Sequence, residues 1–276
     1  MRIILVFLVL FFISCAKNLT INHPYLMTTE KFKGNPKMIQ STDYSVGENE
    51  ELIERSVITY HFDKNGKPVK TVFSEGAQVS SEWHFIYDKK KRLMQKKIFK
   101  DDGTPNGRIS FLYNTKKMLT EIIFEGAESC DTLRKTIYTY NKKKNEILTK
   151  SKDKDSIISQ EIRKIVKKDN HYEVFHYEIE DGKSNLIFKD ELNQNRQKIK
   201  STWFVNDSIN SYTVYQYNEY GDILKTNSFR IVDNETIPSN STFIKYKYDK
   251  FANKVKEELI INGKIISIIE YKIEYY

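Results

Sequence analysis

The clearest pattern along the chain is a short alternation in which two aromatic residues stand two apart and Asp or Asn follows. Six stretches have this form: Tyr60-His61-Phe62-Asp63, Phe85-Ile86-Tyr87-Asp88, Phe111-Leu112-Tyr113-Asn114, Tyr138-Thr139-Tyr140-Asn141, Tyr215-Gln216-Tyr217-Asn218 and Tyr246-Lys247-Tyr248-Asp249. A spacing of two puts both rings on one face of a strand, whereas a helix would set them about 200° apart. The second aromatics fall at 62, 87, 113, 140, 217 and 248, so the first three gaps are 25, 26 and 27 residues. The 77 residues from 140 to 217 leave room for three such units. Degenerate copies fill that hole: Lys164-Ile165-Val166-Lys167 before KDNH, and Leu186-Ile187-Phe188-Lys189 before DELNQN. With Ile273-Glu274-Tyr275-Tyr276 at the end, nine units share one phase.

Each marker is followed by a polar run (DKNGK, DKKKR, NKKKN, NEYGD, DKFAN) and then by a second run of β character, such as PVKTVF, RLMQKKIF or VKEELII. The pattern predicts strand, tight turn, strand in every unit. Gly66 and Gly221 supply positive backbone angles, and the other turns are expected to use Asn, Asp or longer loops. The stretch 161–168, EIRKIVKK, also fits one helix face through residues 162, 165 and 166; the repeat phase predicts a strand there.

Nine units of two strands give 18, which laid flat at about 4.8 Å each would span roughly 86 Å. Twisted open sheets rarely exceed ~10 strands without curling, closing or splitting. Trp83, Phe85 and Tyr87 share one face, as do Ile244, Tyr246 and Tyr248, with His84, Ile86, Lys245 and Lys247 opposite. An aromatic face of that extent does not stay in water. The expected fold is therefore all-β: a meander of antiparallel hairpin repeats over 51–276, in a curved, coiled or partly closed sheet with the rings inside.

The phrase Tyr-x-Tyr-Asp-x-x-Gly, clearest at YQYNEYGDILK (215–225) and YKYDKFANKVK (246–256), resembles the YD repeat of RHS-type proteins. That resemblance spans about 54–276 and implies an antiparallel β-strip. The turn Gly is often missing, and the chain is far shorter than an RHS shell. Carbohydrate binding is associated with such repeats.

The first fifteen residues, MRIILVFLVLFFISC, hold one charge, Arg2, and an apolar run from Ile3 to Ile13. That run is shorter than the roughly 20 residues of a spanning helix and suits a secretory leader. Ser14-Cys15 after it resembles the cleavage site of bacterial envelope lipoproteins of Bacteroidetes type, with Phe12 where Leu is usual and no acidic export tag behind the Cys. The resemblance implies a signal peptide at 1–14, lipidation of Cys15, and a cell-envelope location on the outer membrane, facing the periplasm. Residues 15–50 then read as a lipid-anchored tether and an irregular lead-in.

Lys and Arg exceed Asp and Glu by 45 to 37, a net charge of +8. Acids are interleaved with the lysines, as in KDDG, KDKDS and KEEL, which reads as a solvated surface and not as a nucleic-acid stripe. Cys15 and Cys130 are the two cysteines, so neither a disulfide framework nor a Cys-based zinc site is expected. Cys130 has no local signature of a catalytic thiol. Of the five histidines, His61 and His84 occupy equivalent positions from which they could approach each other on one sheet face, His171 and His176 fall on opposite faces if both lie in one strand, and His23 precedes the repeats. No metal or cofactor is expected from them. KDKDS (152–156) and DDG (101–103) lack Ca-loop spacing. No nucleotide-binding or hydrolase motif occurs, and nearly all acids fall in turns or outward positions. Trp83 and Trp203 are candidates for stacking on sugar rings if exposed, with core packing the alternative.

These features point to a non-catalytic binding or scaffold module for a glycan, peptide or protein partner. A carrier enclosing a lipid or lipoprotein tail in an apolar cavity is the first alternative, and a hydrolase with dispersed acidic residues the second.

Overall fold

The structure is a computed structural model that describes residues 32–76, 78–127, 132–154 and 156–276. The described residues form eighteen strands. The first six are β1 (Pro36–Val46), β2 (Leu52–Phe62), β3 (Pro68–Glu75), β4 (Gln78–Tyr87), β5 (Leu93–Lys100) and β6 (Pro105–Tyr113). Next come β7 (Leu119–Gly126), β8 (Thr132–Asn141), β9 (Glu146–Asp153), β10 (Ser156–Lys167), β11 (Tyr172–Glu180) and β12 (Lys183–Leu192). The last six are β13 (Lys198–Val205), β14 (Ser208–Tyr217), β15 (Ile223–Val232), β16 (Glu235–Tyr248), β17 (Lys254–Ile261) and β18 (Lys264–Tyr275). Each strand pairs antiparallel with the next, and β18 pairs with β1, so the sheet closes into a barrel.

The stretch 161–168 lies largely in β10, as the repeat phase predicts. Two boundaries differ from the sequence pattern. In the second degenerate unit the strand runs on to Leu192, and Asn193 heads the turn, four residues later than Lys189. Lys189 instead lies mid-strand, bonded to Glu173 at 2.8 Å. Within the expected lead-in, residues 36–46 form β1. The ninth unit has no return strand of its own, and β1 supplies it by pairing Pro36 through Ser45 with Tyr275 through Ser267. An amide clasp holds this seam. The Lys33 N–H donates to Asn253 Oδ1 at 2.7 Å, and Asn253 Nδ2 donates to the Lys33 carbonyl at 2.9 Å. The leader, Cys15, His23 and Cys130 lie outside the described residues.

Up-and-down strands give the barrel two rims. At the first rim, Asp63, Asp88, Asn114, Asn193, Asn218 and Asp249 each head a turn whose side-chain oxygen accepts the backbone N–H four residues on, at 2.8–3.0 Å. These are type I turns followed by a left-handed residue, the three-residue hairpin loop. Gly66 and Gly221 fill that left-handed position in two of them; Lys91, Lys117, Arg196 and Ala252 do so elsewhere, at φ of 65, 63, 64 and 60°. The expectation that Asn, Asp or longer loops replace Gly holds at the β8–β9 turn, a four-residue loop with Asn145 at φ 53°; at the four turns just named it is corrected, since the loop length is kept and an Asx cap holds an unfavourable residue in place. At the second rim Asp181-Gly182, Asn206-Asp207, Asp233-Asn234 and Asn262-Gly263 form two-residue turns with both φ positive, the geometry that matches strand twist.

The rims differ in charge as well. Counting the first-rim turns with Lys33 and Lys167, thirteen exposed lysines stand against two exposed acids, Asp169 and Glu219. The second-rim turns and their flanks carry twelve exposed acids against four exposed lysines among the described residues. Charges that alternate along the sequence are thus separated in space, because successive turns go to opposite rims.

The aromatic side of the strands faces inward. Ile109, Phe111, Leu119, Ile122, Tyr138 and Ile147 are 0–8 % exposed and form one cluster on β6–β9. On the convex face of a closed sheet nothing would cover them; on the concave face neighbours converge. Outward positions carry ion pairs such as Lys70–Glu82 at 2.7 Å, Arg108–Glu125 at 2.7 Å and Lys135–Glu121 at 2.8 Å. This is water-facing chemistry, unlike the apolar band of a membrane-spanning barrel.

Candidate functional site

A closed perimeter of 18 strands, about 86 Å around at ~4.8 Å per strand, is in the range where barrels enclose a lumen. The inner wall is sealed by its own packing on β6–β9 and unsealed on the opposite arc. No residue of β14, β15, β16 or β17 is fully buried on either face. Toward the second rim the inward Trp203 and Ile237 are 46 % and 45 % exposed.

Two register rows lead into this arc from the neighbouring strands β10–β13. In the first, Arg163, His176, Phe188, Trp203, Ser211 and Arg230 are successive cross-strand partners from β10 to β15. In the second, one step toward the first rim, Ile165, Val174, Asp190, Ser201, Thr213 and Ser228 follow one another. Inside the barrel the wall here is therefore cationic and hydroxylated, with two adjacent rings. The ring of Phe188 meets Trp203 edge-on at 6.0 Å and His176 at 5.6 Å.

Asp190 is the buried anchor of the patch. Its Oδ1 accepts from Ser201 Oγ at 2.6 Å, and Lys198 Nζ lies 3.0 Å from Oδ2. His176 Nε2 is 3.9 Å from the same Oδ2 and makes no hydrogen bond. Burial holds the His176 pKa below the usual imidazole value; Asp190 opposes that shift, while Arg163 and Lys198 add to it. The imidazole is therefore neutral at pH 7, with an unoccupied ring nitrogen. Asp190 departs from the expectation that acids point outward or lie in turns. Its signal in the sequence is the alternation Phe188-x-Asp190-x-Leu192, which places it in phase with two inward apolar residues.

The two tryptophans differ. Trp83 is half-buried against Phe73 at 4.9 Å and against the ammonium of Lys96. Trp203 opens into the lumen. His61 and His84 share the outer face but lie on either side of Lys70, which is in register with both, so they do not meet; His84 bonds Glu82 at 3.2 Å. His171 stands at the first rim, 3.9 Å from the outward Glu173, opposite in face to His176. Among the described residues no cluster of three or more His, Cys, Asp or Glu is arranged to hold a metal ion. DDG and KDKDS lie at second-rim turns.

The chain matches no protein-family model and no curated protein. Among solved structures it is similar to a porin-like protein from Bacteroides uniformis, with 11 % identity, a TM-score of 0.43, and coverage of 87 % of this chain and 96 % of that one. A porin-like protein from Bacteroides vulgatus shows 10 % identity, a TM-score of 0.29, and coverage of 88 % and 99 %. A Tc holotoxin pore structure from Photorhabdus luminescens shows 10 % identity and a TM-score of 0.28 over 80 % of this chain, which spans 16 % of that one.

Proposed function

We propose that this protein is a non-catalytic binding module of the bacterial cell envelope, anchored through lipid on Cys15, whose barrel receives a glycan against its inner wall beside Trp203. One observation carries the reading: an indole that is 46 % exposed inside a closed sheet. A planar apolar face left open among Ser201, Ser211, Arg163 and Arg230 suits a sugar ring, which has one apolar face and an edge of hydroxyls. An apolar cargo has less support, since the apolar arc is closed by its own side chains and the open arc is polar. A hydrolase has less support too. Asp190 is engaged by Lys198 and Ser201, and the inward Glu257 by Tyr271 at 2.5 Å and Lys254 at 3.0 Å.

The test is capture from a panel of envelope glycans, followed by titration with tryptophan emission as readout. Trp203→Ala should abolish binding and the emission change, while Trp83→Phe should leave both. Capture of a lipid instead of a sugar would overturn the glycan reading. Cys15→Ala should move the protein from the detergent phase to the aqueous phase; retention in detergent with an intact leader would refute the anchor.

A further inference from the structure

We infer that the first rim is a docking surface for an anionic bilayer, so that the barrel stands on the membrane with its acidic rim pointing away. The separation of charge carries this. Lys89, Lys90 and Lys91 crowd one turn, Lys142, Lys143 and Lys144 the next but one, and all six are exposed. They project from the ends of strands, beyond the ion pairs of the outer wall, so a flat surface meets them together.

Each lysine near an anionic membrane strengthens association about fivefold, over a range of roughly 8 Å at physiological salt. A rim with many more exposed lysines than acids is therefore drawn to such a surface. The opposite rim, with its excess of acids, is repelled by the same field.

The described residues begin at Phe32 on the first rim, where the Lys33 N–H is fixed to Asn253. Membrane proximity through Cys15 rests on the anchor reading above, but the choice of rim does not. Sixteen residues lie between Cys15 and Phe32, and the seventeen steps that join the two, fully extended, reach at most about 60 Å. The 14-residue β16 rises about 46 Å. A tether of that length could bring either rim to the surface, so charge, not reach, decides the orientation.

The rival orientation is specific. Exposed Leu52, Ile53, Ile157, Ile158, Ile265 and Ile266 lie at the second rim, and insertion of these side chains would turn the barrel over. It would not depend on lipid charge.

The experiment uses the full chain incorporated into vesicles, with a donor dye on a cysteine placed at Lys90 (first rim) or Asp181 (second rim) in a Cys130→Ser background, and an acceptor on the lipid headgroups. On vesicles with one third phosphatidylglycerol, transfer from position 90 should exceed transfer from position 181 severalfold. The ratio should fall to about one on pure phosphatidylcholine, at 1 M salt, or when Lys89, Lys142, Lys143 and Lys144 are changed together to Gln. These lysines are exposed turn residues, and an unchanged thermal melt shows that the variant is folded. Equal transfer from both positions, greater transfer from 181, insensitivity to lipid charge, or failure to associate with the vesicles overturns the inference. Loss of association caused by Cys15→Ala alone, with the ratio preserved on the fraction still bound, bears on the anchor and not on the rim.

Discussion

Tyr113 donates its hydroxyl hydrogen to the carbonyl oxygen of Leu93 at 2.9 Å, twenty residues back in the chain. The marker tyrosine of one unit thereby ties itself to the first residue of the previous unit's return strand. Tyr87 does the same to Pro68 at 2.8 Å, Tyr140 to Leu119 at 2.6 Å and Tyr217 to Lys198 at 2.7 Å. Each accepting carbonyl stands beside the register shift that follows a turn, where the ladder between strands is interrupted. The repeat is thus a chain of clasps, each phenol held to the hairpin before it.

Removing one clasp leaves a half-buried carbonyl without that partner. Tyr113→Phe and Tyr140→Phe are each expected to lower stability by about 1–2 kcal/mol, read as a lower urea midpoint at an unchanged slope. Tyr215→Phe, outside the clasp series, serves as the comparison.

Four first-rim turns hold Lys91, Lys117, Arg196 or Ala252 in the left-handed region, a conformation that costs residues with a Cβ roughly 1–2 kcal/mol. Glycine relieves this and loses part of the gain to its greater freedom when unfolded. Lys91→Gly, Lys117→Gly and Ala252→Gly should each stabilise the fold by about 0.5–1 kcal/mol. Gly66→Ala should do the reverse: the space around it is open, with Asn35 Oδ1 the nearest atom at 3.9 Å, so strain at φ 74° alone is measured.

Lys96 is 1 % exposed, its ammonium over the rings of Trp83, Phe85 and Phe111 at 5.1, 5.5 and 5.9 Å. Burial lowers its pKa to about 8. The unfolded chain therefore binds a proton that the folded one has released between pH 8 and about 10.4, and stability should rise with pH across that window. Lys96→Met keeps the volume and removes the charge. It should raise stability at pH 7 by about 1–3 kcal/mol and flatten the rise, as followed by thermal melts from pH 7 to 10.5.

His176 predicts the behaviour on the acid side. Its folded pKa is depressed, so its contribution is complete above the unfolded value near 6.5 and is lost as pH falls below that value, because the unfolded state takes up the proton first. Arg163, Lys198 and Asp190 face it; burial is the main cause of the depression, the carboxylate opposes it and the two cations add to it. His176→Gln should reduce the loss of stability between pH 7 and 5. His61, also depressed by burial, would retain part of it. Urea midpoints at the two pH values make the comparison.

The strand count and the inward face were legible because rings two apart, recurring every 25–27 residues, have no helical reading. The turns were legible in their Asx residue and not in their left-handed residue, since the cap lets lysine stand where glycine is expected. Asn193 was missed as a turn head because the local apolar run Leu186–Phe188 imitated the marker earlier in the strand; the Asn-x-x-Arg-Gln stretch was the better signal. β1 was missed because its partner is remote, and no local period shows in Pro36–Val46. Asp190, Lys198 and Trp203 come from two strands whose order was legible but whose register was not. The opposed rims were present in the sequence all along, in the contrast between alternate turns (NKKKN against DDG), and become visible only once turns are sorted by parity.

The seam between β1 and β18 has a consequence for biogenesis. Asp43 and Ser267, joined across it at 2.9 Å, are 224 positions apart. As the polypeptide emerges, β1 must therefore leave one edge open until nearly all later strands are made, and loop closure over such a span is slow. An unpaired edge invites pairing with another nascent copy. The growing half-ring is therefore the stage at which one copy is most open to pairing with another.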